Sequence, residues 1–233
     1  MKIKTFLFVI LGIFVSELIF QWNQTFGFVI YAVLLGVVLV TMEKDITLDK
    51  SEMLLIFLMI VPIARISELF LPFSPLWKIF AFYAVIAFLA IYYGAKFWIK
   101  SGKVKFEDLS YLLVIAILSV FAMAGSEYFF GMKNSIVIPL VLFIAYAEEI
   151  LFRGEIQNLT SERYGSVYAV FFTSLLYGIF TISYGFPVFI FAFLACIILC
   201  VIYQYTKNIY LTFIINVVFH ALFFTLYPVV PLA

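Results

Sequence analysis

An acid pair followed by a base stands inside an apolar run: Ala147-Glu148-Glu149-Ile150-Leu151-Phe152-Arg153-Gly154. Glu149 and Arg153 are four apart. In a helix that spacing puts them on one face, with the acid N-terminal to the base, the better order for an ion pair. Glu148 points about 100° away from Glu149, so it lacks that partner. The spacing therefore divides the cluster into a structural pair and one carboxylate with spare chemistry, the arrangement of a general base beside an ion pair. The same residues also suit a helix end entering the membrane interface, with Glu155, Glu162 and Arg163 as neighbours.

Two further polar groups occupy apolar stretches. Asn216 and His220 are four apart, on one helical face, and His220 is the chain's one histidine. Both side chains can donate to a developing oxyanion, or serve as hydrogen-bonded packing residues. Arg65 and Glu68 are three apart and read as a local ion pair, with a tie to the polar site as the alternative. No metal is expected. The chain has no His-Glu-x-x-His, and one histidine cannot supply two imidazole ligands. No cofactor is expected either, and neither a serine-nucleophile elbow nor a phosphate loop is present. Cys196 and Cys200 lie in an apolar run and read as small apolar packing residues.

The elements that carry these residues belong in lipid. The chain has 233 residues, 67% of them hydrophobic, with thirty Phe and fifteen Tyr, and its mean hydropathy is +1.20. A soluble domain is about 45–50% apolar, so the excess must face lipid. A membrane-spanning helix takes about 20 apolar residues. Stretches of that kind run near 5–21, 26–42, 52–70, 77–98, 109–125, 136–158, 167–182, 187–205 and 209–227. The expected fold is all-α, a polytopic transmembrane helix bundle of about eight or nine spans. The first stretch, after Lys2 and Lys4, is followed by Gln21-Trp22-Asn23-Gln24 instead of a small-residue cleavage site, and reads as a retained span.

Lysines and arginines crowd alternate loops: Lys44 and Lys50, then Lys96 to Lys105, then Arg163, then Lys207, with Lys78 and Lys133 as exceptions. The bias puts the N-terminus in the cytoplasm, in the cell membrane. A net charge of +1 with no charged tail offers nothing to nucleic acid. A transporter with buried acids as a proton relay is disfavoured, because no internal repeat is visible.

The stretch from Ala147 to Asn158 resembles the EExxxR motif of the CPBP family, the CAAX-protease and bacteriocin-processing (Abi) group of intramembrane glutamic endopeptidases and their relatives. The resemblance covers roughly residues 135–225. It divides a single membrane domain into N-terminal spans over residues 1–130 and a family-like core over 131–233. The first five spans resemble nothing in the family beyond a loose Pro62-x-x-Arg65. The family's second motif, FxxxH, falls on Tyr177 and Thr181, with Tyr for Phe and Thr for His. The third, HxxxN, falls on Asn216 and His220 in swapped order.

The resemblance implies that Glu148 is the base, with Glu149 and Arg153 as its support, and that Asn216 and His220 are oxyanion donors. Thr181 stands where the resemblance expects an imidazole. Its hydroxyl can hold a water but cannot take its proton at neutral pH. The implied activity is hydrolysis of a peptide bond in a membrane-associated or prenylated protein by Glu148-activated water. The alternative is a weak or inactive relative that binds a membrane peptide or partner, as a scaffold or immunity factor.

Overall fold

The computed structural model describes residues 3–42, 50–67, 81–93, 137–182 and 185–226. The expected span at 109–125 and the side chain of Glu68 lie outside them. Every described element is helical, and no strand occurs among the described residues. In chain order they are α1 (Ile3–Trp22), α2 (Gln24–Met42), α3 (Lys50–Ser67) and α4 (Ala81–Tyr93). After them come α5 (Val137–Glu148), a π-helical segment (Glu149–Gln157), α6 (Asn158–Tyr164), α7 (Ser166–Thr181), α8 (Phe186–Thr206) and α9 (Ile209–Leu226). The expected stretch 136–158 is thus the first part of a longer helical run that reaches Tyr164 and changes pitch at its acid pair.

Local chemistry sets the boundaries. Asn23 Oδ1 accepts from the Phe26 amide at 3.2 Å and starts α2. Gly165 has φ +91° and Gly185 φ +117°, where a side chain would be strained, and they break the chain ahead of α7 and α8. Pro187 follows in the first turn of α8, where its missing N–H costs no hydrogen bond. Lys207 closes α8 in the left-handed region, and Asn208 Oδ1 accepts from Tyr210 and Leu211 at 3.0 and 3.2 Å, capping α9.

The π segment sits at the centre. It contacts α3, α7, α8 and α9 besides its own flanks. All nine of its residues except Gly154 are buried, so it is enclosed all round rather than on one stripe. The outer helices show the reverse. On α8, Phe186, Ile190, Leu194, Ile198 and Val201 form one exposed apolar stripe at helical spacing, and Tyr210, Leu211, Ile214 and Val218 expose apolar surface on α9. Among the described residues, Thr5–Trp22 and Phe186–Thr206 are long and apolar enough to cross a membrane, and five further apolar helices are shorter.

Candidate active site

Glu148 ends α5 and is buried. Its carboxylate accepts hydrogen bonds from three other helices. Tyr83 of α4 donates its hydroxyl to Oε1 at 3.1 Å. Tyr177 of α7 donates to Oε2 at 2.8 Å. From α9, Asn216 Nδ2 donates to Oε2 at 3.2 Å, and His220 Nε2 lies 2.7 Å from the same oxygen. An ionised carboxylate only accepts, so Nε2 carries the hydrogen in this contact. Spacing alone shows that Asn216 and His220 share a face. The fold decides that the face meets Glu148.

Glu149 and Arg153 pair as their spacing indicates, with Nη1 3.1 Å from Oε1 and both side chains buried. The guanidinium also donates from Nη2 to Cys196 Sγ at 3.2 Å, and its carbon lies 5.3 Å from the centre of the Tyr177 ring. Tyr177 therefore joins the two halves of the cluster, its ring on Arg153 and its hydroxyl on Glu148. Cys196 and Cys200 are free thiols, 3.6 Å apart, and both are buried. They pack inward against the ion pair rather than outward to lipid.

A cavity of about 30 Å³, room for one or two waters, opens beside Glu148. Tyr83, Tyr177, Thr181 and Arg65 border it along with the carboxylate, and Val61, Phe82, Ile86, Phe152 and Phe180 complete an apolar wall. Thr181 thus shares a cavity with Glu148, but its hydroxyl donates to the Gly178 carbonyl at 2.8 Å. Asn216 and His220 contact Glu148 and do not line the cavity. Among the described residues, no group of three or more His, Cys, Asp or Glu is placed to hold a metal.

Arg65 pairs with Glu17 of α1, Nε to Oε1 at 3.1 Å. It also donates from Nη2 to the Phe180 carbonyl at 3.3 Å. Tyr31 of α2 donates to the same Glu17 oxygen at 2.7 Å, and Arg65 lies over the rings of Phe20 and Phe82. Arg65 borders the cavity beside Glu148, as the alternative reading for it expected, while its pairing with Glu68 lies outside the described residues. Glu17 was missed, although an acid in the middle of the first apolar run is itself a signal. Tyr83 carried no comparable signal, being one tyrosine among fifteen.

Searches of curated proteins and of solved structures find no match. A family model described as type II CAAX prenyl endopeptidase Rce1-like matches residues 131–223. That segment, less than half of the chain, contains Glu148 and each of its hydrogen-bond partners except Tyr83. Over this segment the chain is similar to the CAAX-protease family.

Proposed function

We propose that the chain is an intramembrane glutamic endopeptidase that hydrolyses a peptide bond in a membrane-associated or prenylated protein. One observation carries the reading: a buried carboxylate, held by donors from three helices, borders a cavity the size of one or two waters. A water there gives a proton to Glu148 as its oxygen attacks the peptide carbonyl. Once protonated, Glu148 needs its donors less. Asn216 Nδ2 and His220 Nε2 are then released towards the oxyanion, where preorganised donors act most strongly. Glu149 and Arg153 fix the helix that carries the base.

The site works in a bilayer. The stripe on α8 and the apolar residues of α1, α2 and α9 are exposed, and lipid covers them. The lysine and arginine bias orients the bundle in the cell membrane with its N-terminus in the cytoplasm.

The test is cleavage of a farnesylated CAAX peptide by the full chain in liposomes. Glu148→Gln, which keeps the shape and removes the base, should lose turnover by about 10²-fold or more. Equal turnover in wild type and Glu148→Gln would remove the assignment. The second reading, a relative that binds such peptides without cutting them, is favoured by Thr181, which brings no imidazole and turns its hydroxyl to Gly178. Tight peptide capture with no product over long incubation supports that reading.

A further inference from the structure

The two oxygens of Glu148 are not equivalent. Oε2 accepts from Tyr177, Asn216 and His220, at 2.8, 3.2 and 2.7 Å. Oε1 accepts from Tyr83 alone, at 3.1 Å. A carboxylate oxygen offers about two lone-pair directions, so Oε2 is saturated and Oε1 has one direction left. The cavity is bordered by Glu148, Tyr83 and Tyr177, and by neither Asn216 nor His220, and of the two carboxylate oxygens only Oε1 has room for a further hydrogen. A proton leaving a water in that cavity therefore goes to Oε1, and the polar side chain beside Oε1 is Tyr83. Tyr83 is half-buried. With its hydrogen given to Oε1, its oxygen lone pairs can accept from that water. Thr181, on the same cavity, directs its hydroxyl to Gly178 instead.

We propose that Tyr83 is a catalytic residue. Its phenol holds the hydrolytic water against Glu148 Oε1. The inference rests on the endopeptidase reading and extends it to α4, outside the family-matched residues 131–223. The water gives one hydrogen to Oε1 and directs the other to the Tyr83 oxygen. Its oxygen bonds to the peptide carbon, and the carbonyl π pair moves onto the carbonyl oxygen. On collapse the carbon–nitrogen bond breaks, and the leaving amine takes the proton from Oε1. One water is consumed, and a carboxylic acid and an amine are released. Tyr83 keeps its own proton throughout.

The experiment uses the full chain in phosphatidylcholine liposomes with a farnesylated CAAX peptide carrying a fluorophore and a quencher. Tyr83→Phe, which keeps the ring, should lower kcat about tenfold or more with KM within about twofold. Tyr83→His, which again offers a polar atom to the water, should recover part of that loss. Glu148-dependent turnover with an unchanged kcat in Tyr83→Phe overturns the proposal and leaves the endopeptidase reading standing. Wild-type turnover that is absent or independent of Glu148 overturns both. If Tyr83→Phe also lowers the melting temperature, the histidine variant decides: turnover above the phenylalanine variant supports the role, and turnover at or below it overturns the role.

Discussion

Tyr177 does two things that one substitution separates. Its hydroxyl is one of three donors on Glu148 Oε2, while its ring carries the Arg153 guanidinium. Tyr177→Phe keeps the ring and removes the donor. A hydrogen bond to a charged group contributes about 1.5–3 kcal/mol, so kcat should fall roughly tenfold or more, by that figure, with the bundle still folded. Kinetics beside a thermal melt in detergent check this; an unchanged kcat would mean that Asn216 and His220 hold Oε2 without Tyr177. The spacing of Glu148, Glu149 and Arg153 made their division readable before any fold, because partners four apart on one helix need no tertiary information. The partners of Glu148 could not be read that way. Tyr83 and His220 lie 65 and 72 positions from it, and nothing in local periodicity aims side chains at such separations. Residue type, the spacing to Asn216 and the family resemblance pointed to His220 without naming its partner, and Tyr83 had nothing to set it apart.

At the scale of elements, helix spacing depends on where glycine allows close approach. A Cβ on Gly27 would lie 2.6 Å from the backbone of Phe20, so Gly27→Ala must push α1 away from α2. It would also disturb Phe20, whose ring lies against Arg65. A Cβ on Gly178 would meet Phe189 and Phe193 at 3.1 Å, between α7 and α8. A Cβ on Gly154 would meet only ordinary contacts, 3.6 Å or longer. Gly27→Ala should therefore destabilise by about 1–3 kcal/mol through overpacking. Gly154→Ala should be neutral or slightly stabilising, since alanine is the better helix former by about 1 kcal/mol. Unfolding of both variants in mixed micelles separates the two outcomes, and equal loss would show that Gly154 is needed by the π pitch itself. The helices were largely legible from apolar runs: eight of the nine expected stretches coincide with described helices. The π segment was not, because its residues satisfy an α pattern equally well and the change of pitch depends on what packs around it.

For the molecule as a whole, the question is how helices outside the family-matched segment come to shape its site. Glu17 and Arg65 supply the join. The pair links α1 to α3, Tyr31 adds α2, and Arg65 Nη2 reaches the carbonyl of Phe180, the residue before Thr181. Arg65 also borders the cavity beside Glu148. Removing one member of a buried ion pair leaves the other charge buried and costs about 3–5 kcal/mol, whereas replacing both with apolar residues is often near neutral. Glu17→Met and Arg65→Leu should each destabilise strongly, and the double variant less than either single. The two sites should thus couple strongly in a double-mutant cycle. If the pair also sets the position of α7 against the cavity, turnover of the farnesylated peptide should stay low in the double variant although its stability returns, because the contact with Phe180 is still missing. Unfolding and kinetics of all four chains distinguish the cases. Recovery of stability and turnover together would make the pair a support for folding alone. Recovery of stability without turnover would make it the strut by which the N-terminal helices hold the wall of the site.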